Sequence, residues 1–170
     1  QTNATVFYHA SCGGSTEDVG NVFSRGNIPY LKEINDGNPP NCNISQTFNW
    51  NETYSEKDII SFLFKENYID NQSYSFEDIK IISQLPSGRV NELQILLDQN
   101  ERKEILLQKN TIRYVIRRKE NNGILRSTMF DLSVQNPTTQ TVQKTPPTQW
   151  PLPPWTGFGR YESSFHLALR

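Results

Sequence analysis

Between residues 79 and 134 the apolar residues arrive in short bursts separated by turn-forming residues, and this limits the chain to folds made of short strands. Ile79 to Ile82, Arg89 to Leu97 and Glu104 to Leu107 read as three strands. Pro86-Ser87-Gly88 and Asp98-Gln99-Asn100 supply the turns between them, and strands joined so tightly pair antiparallel. In the second strand Val90, Leu93, Ile95 and Leu97 break strict alternation, which predicts a bulge near Asn91. Met129, Asp131 and Ser133 alternate with Phe130, Leu132 and Val134, the pattern of a half-buried strand. Thr5 to His9, β-branched and aromatic, reads as another strand, and Phe48, Trp50 and Tyr54 as one face of a sixth.

Helical spacing is confined to short stretches. Ser55 with Asp58 forms a capping box in which Asp replaces the usual Glu or Gln. It opens a helix over Glu56 to Lys65, with Ile59, Ile60, Leu63 and Phe64 turned inward. Ile112, Val115 and Ile116 make one apolar helical face, and a helical turn fits Glu17 to Phe23. Asn35 to Pro40 breaks regular structure and reads as a surface loop. The expected fold class is α+β, with a largely antiparallel sheet, two or three short helices and a Pro-rich C-terminal tail.

Composition divides the chain. Residues 1–135 form the domain, 136–154 change to a Pro/Thr/Gln-rich connector of polyproline type, and 155–170 make a terminal segment. Its 9 Phe, 7 Tyr and 3 Trp are enough for a core despite a mean hydropathy of -0.66. The 17 Lys+Arg balance 18 Asp+Glu, so no field of one sign draws in polyanions, and nucleic acid is not an expected partner. No apolar run approaches the roughly 20 residues of a membrane helix. The first residue is Gln1, as in a processed product or an excised piece.

Familiar catalytic motifs, such as the phosphate-binding loop, the dinucleotide fingerprint and the zinc-protease helix, are missing from the sequence. Cys12 and Cys42 allow one bridge, closing a loop of about 30 residues and adding roughly 2–4 kcal/mol, or two free thiols. His9-x-x-Cys12 places two soft zinc ligands close together, and Cys42 and His166 can complete a tetrahedral set. The competing reading is a buried histidine beside a disulfide or free thiols. A Cys12–His nucleophilic pair lacks an orienting third group. Glu17, Asp18, Glu33 and Asp36 lie near the Gly13-Gly14 loop and read as surface charges, as Arg117-Arg118-Lys119 reads as a solvated face. Trp150, Trp155, Phe158 and Tyr161 suit either stacking on sugar faces or anchoring the tail. Four glycosylation sequons, at Asn3, Asn43, Asn51 and Asn71, arise readily in so Asn/Ser/Thr-rich a chain.

Taken in order, several pieces resemble the SpoIID/LytB domain family, which includes stage II sporulation protein D and the amidase enhancer. Phe7-Tyr8-His9-Ala10-Ser11-Cys12-Gly13-Gly14-Ser15-Thr16-Glu17 looks like the family's aromatic strand and His-x-Ser-Cys-Gly-Gly-x-Thr loop. Val22-Phe23, Pro29-Tyr30-Leu31, Phe48-x-Trp50, Ser87-Gly88-Arg89-Val90, Ile112-Arg113 and Leu125 to Phe130 follow at fitting distances, so the likeness runs from about Val6 to Val134. It implies a bacterial, extracytoplasmic protein whose partners are peptidoglycan glycan strands or a cell-wall amidase that it stimulates. Active members are lytic transglycosylases acting on peptide-stripped glycan, and their acid is a Glu in a segment upstream of anything matched here. The chain therefore reads as the C-terminal portion of such a domain, glycan-facing and without its own cleavage activity. Two alternatives stay open: an active transglycosylase in which Glu17 or Glu162 has become the acid, and a non-catalytic amidase stimulator. By resemblance the substrate-facing residues are His9, Ser11, Cys12, Gly13, Gly14 and Thr16. Gly157 and Gly159, which fit the start of the family's closing glycine motif, join them, although Arg160-Tyr161-Glu162 departs from that motif. No cofactor is required, and zinc at His9 and Cys12 is consistent with metal binding in some members.

Overall fold

A computed structural model of the chain describes residues 3–9, 11–23, 26, 28–135 and 164–168. The connector and the Gly157 to Gly159 segment lie outside the described residues, as do Trp150, Trp155, Phe158, Tyr161 and Glu162. The fold is α+β, with antiparallel sheets and short helices. Helix α1 covers Val19–Val22, followed by a 3-10 turn at Asn41–Ile44. Strand β1 (Asn51–Ser55) then runs directly into α2 (Glu56–Lys65). Three long strands form a meander, β2 (Ser75–Gln84), β3 (Val90–Asp98) and β4 (Arg102–Gln108). Helix α3 (Thr111–Val115) and strands β5 (Asp131–Gln135) and β6 (Ser164–Ala168) complete the described elements.

β2, β3 and β4 form one sheet in sequence order, and β6 lies between β1 and β5 in a second. Both sheets are antiparallel throughout. Their register confirms the bulge: Ser83 pairs with Glu92 and Gln84 with Val90, leaving Asn91 as the extra residue of β3. The carbonyl of Asn91, freed from that ladder, accepts the backbone N–H of Lys109 at 2.8 Å.

The capping box is present in full. Ser55 Oγ accepts from the Asp58 N–H at 3.3 Å, and Asp58 Oδ2 accepts from the Ser55 N–H at 2.8 Å. Of the expected inward face of α2, Ile59, Ile60 and Leu63 are buried, but Phe64 is 39% exposed and Phe62 takes its place. Tyr54, entirely buried at the end of β1, meets Phe62 edge to face at 5.8 Å and draws the buried face to that side. Leu93, Ile95 and Leu97 of β3 and Leu107 of β4 pack with Ile112 and Ile116, so the core sits between the meander and the helices.

Thr5 to His9 departs from expectation. The stretch is described but joins no strand, with Val6 58% and Tyr8 91% exposed. Despite its strand-like composition, it pairs with neither sheet among the described residues. Instead Phe7 stacks on Phe23 at 4.9 Å, and Tyr30 Oη accepts the Thr5 N–H. Among the described residues no helix is long and apolar enough to cross a membrane.

Candidate functional site

The Gly13-Gly14 pair does what paired glycines permit, holding φ of +73° and +107°. A Cβ on Gly13 would stand 3.0 Å from Met129 Sδ, so the loop and the segment before β5 are in close contact. Two strand-like links hold the loop from behind. The Thr16 N–H donates to Ile34 O and the Asp36 N–H to Gly14 O, both at 2.9 Å. From the front, Arg89 at the start of β3 donates from Nη2 to Cys12 O and Ser15 O, each at 2.8 Å. One guanidinium thus fixes both ends of the turn.

Glu17 lies just beyond. Its Oε1 accepts from the Asp18 N–H at 3.0 Å and from Asn21 Nδ2 at 2.8 Å, and its Oε2 accepts from Ser87 Oγ. Both oxygens are therefore committed to holding α1 against the turn that precedes β3.

In front of the loop opens a cavity of about 670 Å³. Its walls include His9, Ser11, Cys12, Gly13 and Thr16, so five of the residues expected to face substrate do share one concave surface. Gly14 sits behind them, where a Cβ would meet Pro40 at 3.2 Å. Gly157 and Gly159 lie outside the described residues. Phe7, Phe23 and Trp50 give the cavity apolar walls, while Arg89, Arg113, Arg118 and Arg126 bring guanidinium groups.

These arginines, and Trp50 as a lining group, were not foreseen as site residues. Arg118 in particular read as part of a solvated run. Three of them are marked by their hydrogen bonding: Trp50 Nε1, Arg89 Nη1 and Arg118 Nε are buried and, among the described residues, have no partner. Indole and guanidinium nitrogens donate only, so this wall is short of acceptors. A ligand rich in oxygen acceptors would satisfy them.

Beside the cavity, the loop Asn35 to Pro40 folds back onto Cys12. Cys12 and Cys42 place their Sγ atoms 3.2 Å apart, and Cys12 Sγ lies 3.4 Å from Asp36 Oδ2. One ligand atom each from Cys12, Asp36 and Cys42 falls within a span of 4.8 Å, a group able to hold a metal ion. Asp36, expected to be a solvated charge, also accepts the Cys42 N–H at 2.9 Å. That bond is foremost in lowering its pKa to about 2. His9 is exposed and is not part of this group. His166 lies in β6 opposite Thr53 and Ser133 in the two registers, and its ring is outside the described side chains.

Fold and cavity together define a small α+β domain with a donor-rich cleft, built where an N-terminal glycine loop meets the start of β3. Over residues 34–152, more than half of its length, the chain matches the family described as "Domain of unknown function (DUF8618)", and it belongs to that family. The glycine loop precedes the matched span, so the cleft combines a wall inside the span with one outside it. No curated protein matches the chain.

Proposed function

We propose that this chain is an extracytoplasmic, peptidoglycan-associated domain of the SpoIID/LytB type that faces glycan strands and does not itself cleave them. The observation that carries the reading is the cleft of about 670 Å³ with the loop residues His9, Ser11, Cys12, Gly13 and Thr16 on its wall. Its apolar rings suit the C–H faces of sugars, and its unpartnered N–H donors suit their hydroxyl and acetamide oxygens. Cleavage needs a sheltered carboxylic acid with a proton to give to the leaving oxygen. Glu17, the carboxyl group on the cleft wall, has both oxygens engaged by donors of the protein, which favours a structural role.

The test is co-sedimentation with, and digestion of, purified peptide-stripped peptidoglycan, with products read by mass spectrometry. Binding without anhydro-sugar products is the expected result. Anhydro products that vanish in Glu17→Gln would establish an active transglycosylase instead, and failure to bind would remove the glycan reading.

The group of Cys12, Asp36 and Cys42 suits a structural zinc ion, supplying three of the four ligands of a tetrahedral site. Bound there, the ion would tie the glycine loop to the loop carrying Asp36 and Cys42 and would take no part in bond cleavage. Metal analysis of the purified protein should find about one zinc per chain, and in Cys42→Ser much less.

A further inference from the structure

The cleft wall is strongly positive in a chain whose formal net charge is -1. Some of its cations are neutralised: Lys32 pairs with Asp18 at 2.8 Å, and Arg126 reaches Glu120 at 3.6 Å. Arg89, Arg113 and Arg118 are different. Among the described residues none of the three forms an ion pair with a carboxylate. Arg89 uses Nη2 on the glycine loop, and Arg113 uses Nε on Leu125 O at 2.7 Å and Nη1 on Asn110 Oδ1 at 3.3 Å. Both are thereby held in place, with charge to spare and with Arg89 Nη1 buried and, among the described residues, unpartnered.

Holding such groups together is unfavourable. Burial pulls Arg113 below its ordinary pKa, and the like charge of Arg89 pulls it further. Arg89 is itself largely enclosed in the same wall, with its Nη2 committed to the glycine loop. An anion between the two guanidinium groups would relieve the repulsion between them.

We infer that Arg89 and Arg113, with Arg118 on the wall of the same cleft, form a receptor for a carboxylate carried on a saccharide, an inference that rests on the glycan-facing reading. The cavity of about 670 Å³ is far larger than a free oxyanion needs, and its walls include Phe7, Phe23 and Trp50, so the anionic group arrives attached to a larger, partly apolar body. A single negative charge fits better than two, because the Glu17 carboxylate stands in the same wall. Guanidinium forks bind the two oxygens of a carboxylate side by side. Trp50 Nε1 is left for a hydroxyl or acetamide oxygen of the sugar ring.

Calorimetric titration of the full chain at low salt tests the assignment with four probes. These are an oligosaccharide of alternating N-acetylglucosamine and N-acetylmuramic acid bearing the free lactyl carboxylate, its methylamide, an N-acetylglucosamine tetramer, and inorganic phosphate. The free acid should bind at least about tenfold more tightly than the amide, since the amide loses a charge-assisted bidentate contact. Arg113→Lys, which keeps the charge but loses the fork, should bring the affinity for the free acid down toward that for the amide. Equal binding of acid and amide would overturn this inference and leave the glycan reading standing. Binding of no saccharide would overturn both. Phosphate competing as well as the acid sugar would show a simple oxyanion site and reject the sugar carboxylate. The wild-type comparison decides the matter even if a variant fails to fold.

Discussion

Asp36 joins parts of the molecule that the sequence keeps apart. Its carboxylate accepts the Cys42 N–H at 2.9 Å, an Asn41 side-chain N–H at 3.3 Å and the Cys12 thiol at 3.4 Å, with the Cys42 bond foremost in lowering its pKa to about 2. An unfolded Asp titrates near 3.9, so the folded state binds the proton less readily. The stability this contributes is complete above about pH 4 and is lost as pH falls through about 2. Melting curves of the metal-free protein should therefore show wild type more stable than Asp36→Asn at pH 6, with the gap narrowing between about pH 4 and pH 2. A gap that stays constant with pH would mean that the substitution acts through packing alone. The two thiols should differ as well. Burial, followed by the bond to Cys42, raises Cys12 to about 11. For Cys42 burial works in the same direction but is outweighed by hydrogen bonds led by Cys12 and including Ser11, so its pKa falls below the usual thiol value. In reduced, metal-free protein at pH 8, iodoacetamide should label Cys42 well before Cys12, as peptide mass spectrometry would reveal. Little of this was legible in the sequence. An even cysteine count admits a bridge, thiols or a metal, and nothing in Asn35 to Pro40 says that the loop folds back on Cys12.

At the scale of elements much more was legible, because the decisive interactions are local. Helix α2 begins and ends where its capping box and apolar spacing place it, over Glu56–Lys65. Ser55→Ala removes the acceptor for the Asp58 N–H and should cost about 1 kcal/mol. Ser55→Asp should restore part of this, with urea unfolding as the measure. The bulge at Asn91 was equally readable, since one extra residue disrupts the alternation of Val90, Leu93, Ile95 and Leu97. Strand β6 was not readable, and neither was the absence of a strand at Thr5 to His9. A strand exists only where an edge is free to pair with it, and that edge comes from elsewhere in the chain. Ser164–Ala168 pairs with β1 and β5, while Thr5 to His9, with the better strand composition, pairs with neither sheet among the described residues and packs through Phe7 on Phe23 instead.

The molecule as a whole depends on a few polar ties across long stretches of chain. Arg89 reaches Cys12 O and Ser15 O, Ser87 reaches Glu17, and Lys109 Nζ donates to Gly20 O at 2.8 Å. Each joins the N-terminal segment to the meander across about 70 residues or more. Such residues look like ordinary solvated charges in a sequence, so the glycine loop was legible as a candidate site while the groups that hold it were not. The same ties decide how the cleft comes apart. Arg89→Ala leaves two carbonyls of the loop without their charged donor, at about 1.5–3 kcal/mol for each bond. The meander keeps its own buried core of Leu93, Ile95, Leu97 and Leu107. Loss should therefore be local. Hydrogen exchange by NMR should show the Thr16 and Asp36 amides, bonded to Ile34 O and Gly14 O, exchanging about 10- to 100-fold faster in the variant. The Leu93 and Ile95 amides of β3 should keep their wild-type rates. If β3 lost protection together with the loop, the loop and the meander would be one cooperative unit, and the cleft could not open without unfolding the domain. If only the loop changed, its wall would be able to move against a fixed sheet, and the cleft could widen without unfolding the domain.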